Sequence, residues 1–164
     1  DGLGFPRERW QNDYITDGRQ EIENALAVRN IIPNVSAVLF RRSVFDHLDF
    51  SGISGLKTTG DWKLYLSVLK QGSLAYFHQH LNFHRIHAKS VIGAKKKEAA
   101  LTLPEYYHMY RFILDEFEIP KNIRKLMVES VELNLRNLWP EMTDDKFEQY
   151  YDVRTFDLPE KALS

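Results

Sequence analysis

The stretch TTGDWKLYLSVLKQGSLAYFH, residues 58–78, decides the fold that the sequence predicts. Its apolar residues recur at the spacing of a helix that buries one face, and we expect this helix to begin at Asp61 and to end at Gly72. The segment SLAYFH, residues 73–78, is rich in aromatic and small residues and predicts a short strand. The residues of the buried helical face are Trp62, Tyr65, Leu66 and Leu69.

A short helix and a buried strand are predicted upstream of this stretch. Asp17 and Gln20 have the spacing of a capping box, which predicts a helix that ends near Asn30. Residues 35–40, VSAVLF, form an almost continuous apolar run of the kind found in strands that are buried on both faces. Residues 1–16 carry glycines, a proline and scattered aromatic residues, and they predict a surface loop.

Downstream, LNFHRIH at residues 81–87 predicts one more strand, and the pattern then becomes helical. Two helices with apolar stripes are expected, one ending at Pro120 and one before Pro140. The sequence therefore predicts a helix-rich α/β arrangement, an α+β fragment. It would have two domains: residues 1–92, with a small sheet from the 35, 74 and 81 regions, and a helical extension at 93–164.

The composition excludes several classes of function. Hydrophobic residues make up 43% of the 164 residues and charged residues 27%, which is typical of a soluble globular protein. The 22 basic and 23 acidic residues nearly balance, so no electrostatic pattern indicates a nucleic-acid partner. The absence of cysteine excludes disulfides and a cysteine nucleophile. No apolar run approaches the roughly 18 residues of a membrane span, and we expect a cytoplasmic protein or one at the inner face of the membrane.

Three consecutive blocks resemble, in the same order, the second half of the catalytic GT-A domain in bacterial family 2 glycosyltransferases. They are residues 30–45, NIIPNVSAVLFRRSVF, residues 58–78, and residues 81–91, LNFHRIHAKSV. Residues 30–45 are similar to a strand and turn of the family's acceptor site. Residues 58–78 are similar to its Asp-Trp helix and the strand after it, and residues 81–91 to the basic strand that closes over the donor diphosphate. The resemblance implies inverting transfer of a hexose from a nucleotide sugar to a glycan or lipid-linked acceptor, in polysaccharide biosynthesis.

Asp61 is the candidate catalytic base for such a reaction. In an inverting transfer, one carboxylate removes the proton of the acceptor hydroxyl while that oxygen attacks the anomeric carbon opposite the leaving nucleoside diphosphate. Asp61 follows a Thr-Thr-Gly loop and lies at a predicted helix N-terminus, where free N–H groups favour the ionised carboxylate. Its position alone favours a simple helix cap, because aspartate is a preferred capping residue. The resemblance favours the catalytic base.

Cationic residues or a divalent metal must stabilise the leaving diphosphate, because its charge increases as the glycosidic bond breaks. Side chains alternate along a strand, so Arg85 and His87 would share one face. Arg85 offers a bidentate fork to phosphate, and His87 offers a hydrogen-bond donor or a metal ligand. An ordinary polar strand edge remains an alternative for this pair. The resemblance adds three substrate-binding candidates, Ser36, Arg42 and Trp62.

The family's donor-binding half ends in a short acidic motif that holds Mg or Mn and the diphosphate. No apolar strand leading into such a motif precedes residues 30–45. We therefore expect the full-length enzyme to contain a further donor-binding half with its metal, and we expect these residues alone to be inactive. Sheet surface that this half would cover is expected to drive self-association. A second hypothesis is a non-catalytic docking module that binds through the two late helices, with Asp61 as a cap.

Overall fold

The computed structural model describes residues 7–32, 34–83 and 99–138, with side chains for 8–32, 34–83 and 105–133. The chain divides into two compact units, Asp1–Arg85 and Ile86–Ser164. The described residues are rich in helix and contain one two-stranded antiparallel sheet, so the coarse fold class is α+β. The domain boundary predicted after residue 92 lies outside the described residues and stays a prediction.

The first unit joins the two-stranded sheet to short helices and turns. The strands pair in a register that places Tyr14 opposite Tyr76 and Asp17 opposite Ser73. In chain order the elements are a 3-10 turn Arg7–Trp10, β1 Tyr14–Asp17, α1 Gly18–Glu21, a π-helical turn Ile22–Leu26, 3-10 turns Val35–Ala37 and Arg42–Phe45, α2 Ser51–Ser54, α3 Gly60–Leu69 and β2 Ser73–Tyr76.

The predicted cap at Asp17 is confirmed. Its Oδ1 accepts a hydrogen bond from the backbone N–H of Gln20 at 3.1 Å, which satisfies one of the free donors at the start of α1. The helix is shorter than predicted, because it changes to a π-helical turn at Ile22. That turn and the two residues after it contain five buried apolar side chains, namely Ile22, Ala25, Leu26, Ala27 and Val28.

The predicted helix after the Thr-Thr-Gly loop is also confirmed, since α3 runs from Gly60 to Leu69. All four residues of the predicted apolar face are buried. The indole N–H of Trp62 donates to the carbonyl oxygen of Leu26 at 2.9 Å, inside the core. This bond and the surrounding apolar contacts hold the first turn of α3 against the residues that follow α1.

The buried strand predicted at residues 35–40 is wrong. Val35–Ala37 forms a 3-10 turn, closed by hydrogen bonds from Ala37 N to Asn34 O at 3.2 Å and from Val38 N to Val35 O at 3.1 Å. Val35 is 51% exposed and Leu39 is 99% exposed. A strand requires a hydrogen-bonded neighbour, and no strand among the described residues pairs with this segment. The apolar run therefore stays at the surface.

Two further differences concern the sheet. The predicted loop at residues 1–16 contains most of β1, which pairs with a strand some sixty residues later in the chain, as the register of Tyr14 with Tyr76 shows. In the strand predicted at residues 81–87, residues 81–83 have no regular secondary structure, and the N–H of Leu81 donates to the carbonyl oxygen of Gln79 at 3.0 Å. Residues 84–87 of that segment lie outside the described residues. The strand predicted at 73–78 is confirmed as β2.

The second unit contains the two predicted helices, α4 Ala99–Glu116 and α5 Lys121–Leu138. They pack against each other, and Pro120 separates them as expected. Arg124 donates from Nε to the carbonyl oxygen of Ile119 at 2.9 Å, which ties the connecting segment to α5. Their described apolar faces form the core of this unit: Met109, Tyr110, Ile113, Phe117, Ile123, Met127, Val128 and Val131.

Candidate functional site

Asp61 is the second residue of α3, and its side chain is half-buried. Its Oδ1 accepts the backbone N–H of Trp62 at 2.7 Å. The backbone of Thr59, the residue at the helix N-cap, accepts from Lys63 N at 3.0 Å, so the first turn of the helix is closed. The carboxylate of Asp61 therefore lies in the first, hydrogen-bonded turn of a helix and remains partly accessible to solvent.

Trp62, a predicted substrate-binding residue, lies in the core. Only 1% of it is exposed, and its single N–H donor is used by the carbonyl oxygen of Leu26. In this structure it has no exposed face on which a sugar or nucleotide could stack. Its role is to anchor the first turn of α3, and the position of Asp61 next to it depends on that anchor.

Tyr65 lies one helical turn after Asp61. It is 1% exposed, and its ring stacks on that of Phe40, with centroids 6.3 Å apart and an interplanar angle of 16°. Its hydroxyl is buried and has no hydrogen-bond partner. Burial, and after it the negative charge of Asp61, raise the pKa of Tyr65 to about 12. Sequence reasoning assigned Tyr65 to the core and did not identify this unpaired hydroxyl.

Ser36 and Arg42, the other described substrate-binding candidates, are both exposed and lie on the two 3-10 turns of the segment that contains Phe40. The carbonyl oxygen of Ser36 accepts the side-chain amide of Asn82 at 3.0 Å, which ties this turn to the chain after β2. Phe40 contacts Tyr65, so the segment passes beside α3. The structure thus brings the chain on either side of Phe40 near the helix of Asp61.

Arg85 and His87 lie outside the described residues, so their proposed contacts with a diphosphate or a metal stay predictions. Within the residues that the structure describes, no three or more histidine, aspartate, glutamate or cysteine side chains come together in a way that fits a metal ion. The described residues therefore offer no ligand set for Mg or Mn.

A histidine–aspartate pair at the open end of the sheet was not predicted. Nδ1 of His78 lies 2.6 Å from Oδ1 of Asp13, and the backbone N–H of His78 donates to the same oxygen at 2.8 Å. The backbone bond first, and then the ring contact, lower the pKa of Asp13 below its ordinary value. The pair connects the residue before β1 with a residue after β2. The pair could have been found only by predicting that β1 pairs with β2, and the sequence did not predict β1.

An ion pair between the partly exposed Arg9 and the buried Glu21 was also not predicted. Glu21 is 2% exposed and pairs with Arg9 through Oε2, while its Oε1 is buried without a partner. The guanidinium carbon of Arg9 lies 5.2 Å from the ring centres of both Trp10 and Tyr14, within the range of cation–π attraction. This cluster joins the 3-10 turn before β1 to α1.

A comparison of the chain with protein-family models, curated proteins and solved structures finds no match. In the described part of the chain, neither long helix has a stretch that is apolar enough to cross a membrane.

Proposed function

We propose that this chain is the acceptor-side part of an inverting glycosyltransferase and that Asp61 removes the proton of the attacking hydroxyl. The setting of Asp61 carries the proposal: its carboxylate is partly accessible, and the adjacent Trp62 fastens the helix turn to the core. A catalytic base must keep a constant position relative to the acceptor oxygen. A helix start that is anchored in the core provides that constancy.

The proposed reaction is a single displacement. The acceptor oxygen forms a bond to the anomeric carbon while the bond from that carbon to the diphosphate oxygen breaks, and the electron pair of that bond leaves with the nucleoside diphosphate. The proton of the acceptor hydroxyl moves to the carboxylate of Asp61. The substrates would be a nucleotide sugar with a hexose and a glycan or lipid-linked acceptor, and the reaction would take place in the cytoplasm or at the inner face of the membrane.

We assign the binding of the leaving diphosphate to Arg85 and His87, together with a donor-binding half in the full-length protein. A divalent metal bound there would neutralise the charge that develops on the diphosphate. Because the described residues hold no fitting ligand set, we assign no step on this chain to the metal. Exposed Ser36 and Arg42, on either side of Phe40, are the proposed contacts of the acceptor.

The docking-module alternative depended on the apolar stripes of the two late helices. In the described residues these stripes are largely buried between α4 and α5, and Leu133 is the large apolar residue that stays exposed. The packing therefore leaves less apolar surface for a partner than the sequence suggested. No feature of the described second unit favours a particular partner over the transferase proposal.

The decisive variant is Asp61→Asn in the full-length protein, assayed first against a panel of nucleotide sugars. The amide oxygen of asparagine can still accept the N–H of Trp62, so the substitution removes basicity and keeps the helix start. We expect kcat to fall by about 10²–10⁴-fold, the usual contribution of a general base. Asp46→Asn, at an exposed aspartate of the same unit, should leave the rate unchanged. Transfer at the normal rate by Asp61→Asn would exclude Asp61 as the base.

A further inference from the structure

The hydroxyl of Tyr65 is an unusual feature of the core. The ring is fully packed, and the buried Oη atom has no hydrogen-bond partner. Phenylalanine would fill the same volume without burying an unpaired polar group, and such groups lower stability. A buried hydroxyl that is unpaired in the resting structure therefore suggests a partner in another state of the protein.

The charged candidate for that partner is Asp61, whose negative charge acts on the phenol of Tyr65. Residues four apart lie on the same face of a helix, and side chains lean toward the helix N-terminus, so Tyr65 extends toward the turn that carries Asp61. Among the described residues, Asp61 is the charged group that acts on the phenol. Oδ1 of Asp61 is bonded to Trp62 N, and its other oxygen has no partner among the described residues. Stacking on Phe40 fixes the ring of Tyr65.

We propose that Tyr65 is a positioning residue for Asp61, whose carboxylate leaves the N–H of Trp62 and accepts the hydroxyl of Tyr65 when the acceptor binds. This inference rests on the proposed function, because it assigns a second state to the same base. The hydrogen bond would hold one oxygen of Asp61 in place and leave the other free to take the proton of the acceptor.

The chemistry of the pair suits this role. A hydrogen bond donated to a carboxylate stabilises its charged form, so the loss of the donor moves the ionisation of the base to higher pH. The phenol stays protonated throughout the neutral range, because burial and Asp61 raise the pKa of Tyr65 to about 12. Tyr65 is therefore a constant donor over the pH range of an assay.

The test is Tyr65→Phe in the full-length protein, with kcat/KM measured against pH. We expect the acidic limb of the profile to move to higher pH by about one unit and kcat to fall roughly tenfold, with the KM of the donor unchanged. The melting temperature should stay equal or rise, because the variant removes an unpaired buried hydroxyl. Tyr110→Phe, at a buried tyrosine of the second unit, is the matched control and should leave the acidic limb in place.

The outcomes separate this inference from the proposed function. If Asp61→Asn abolishes transfer while Tyr65→Phe keeps the normal rate and profile, the positioning role is wrong and the base assignment stands. If Asp61→Asn transfers sugar normally, both are wrong. If the activity of Tyr65→Phe falls only in proportion to its folded fraction, with the acidic limb unmoved, Tyr65 is merely structural. A shifted limb in a stable variant supports the positioning role.

Discussion

The backbone N–H of Gly18 donates to the carbonyl oxygen of Gly72 at 2.8 Å, so the start of α1 lies directly against the end of α3. This contact leaves no room for a side chain, since a Cβ atom on Gly18 would collide with the carbonyl oxygens of Leu69 and Gly72. Backbone atoms of a helix end cannot move aside as a flexible side chain can. Gly18 is therefore required where α1 meets α3.

We expect Gly18→Ala to destabilise the chain by about 1–3 kcal/mol or more, as overpacking does. Gly55→Ala is the matched control, because nothing lies within 4 Å of its Cβ position and its backbone is in the right-handed helical region. The control should be neutral or slightly stabilising. Urea denaturation followed by tryptophan fluorescence compares the two. Equal stability of Gly18→Ala and the wild type would contradict the close backbone contact.

The ion pair between Arg9 and the buried Glu21 predicts a second effect on the free energy of unfolding. Arg9→Met keeps much of the apolar stem and removes the charge, which leaves the carboxylate of Glu21 buried and unpaired. Removing one partner of a fully buried ion pair costs roughly 3–5 kcal/mol, and we expect a loss up to that range, because Glu21 is buried while the Arg9 side chain is 23% exposed.

The control for this effect is Arg111→Met, which breaks the exposed pair with Asp115 at 3.6 Å. An exposed pair one helical turn apart contributes at most about 0.5 kcal/mol. Thermal denaturation monitored by circular dichroism measures both variants. A similar small loss in the two variants would show that Glu21 finds another partner or reaches water.

The Asp13–His78 pair predicts how stability depends on pH. Hydrogen bonds from His78 lower the pKa of Asp13 from its ordinary value of 3.8, so the folded state binds a proton less readily than the unfolded state. The contribution of the pair is therefore present above that value and is lost as the pH falls through the lower folded value.

Asp13→Asn should lower the melting temperature at neutral pH, and the difference from the wild type should shrink as the pH falls below 3.8 and through the lower folded pKa of Asp13. Asp46→Asn serves as the control, because the side chain of Asp46 is exposed and its substitution should leave the melting temperature at neutral pH close to that of the wild type. A difference for Asp13→Asn that does not change between neutral and acidic pH would mean that the charge of Asp13 contributes nothing.

The exposed apolar residues predict self-association. Leu39, Leu81 and Phe83 are among the large apolar side chains that face solvent in the first unit. We expect association that increases with concentration in sedimentation velocity. Leu39→Lys should weaken it by about 10–10²-fold, since burying a leucine contributes about 1.5–3 kcal/mol. Ala37→Lys places the same charge at a nearby exposed position and should have a smaller effect. A strictly monomeric wild type would exclude this interaction.

The helices of this protein follow from its sequence to a large extent. Local spacing in the sequence predicted three of their features, because these features involve residues only a few positions apart. They are the cap at Asp17, the buried face of α3 and the apolar stripes of α4 and α5. The candidate base, Asp61, was likewise identified from its place after a Thr-Thr-Gly loop. Its position at the start of a helix is confirmed, and its catalytic role stays a proposal.

The tertiary structure alone decided how the strands of the sheet pair and what surrounds Asp61. Tyr14 pairs with Tyr76, and Asp13 meets His78, across more than sixty residues of chain that local patterns cannot bridge. The apolar run at residues 35–40 predicted a buried strand. A strand forms only beside a hydrogen-bonded neighbouring strand, and no strand among the described residues pairs with this segment. Packing also left the hydroxyl of Tyr65, one helical turn after Asp61, buried without a hydrogen-bond partner.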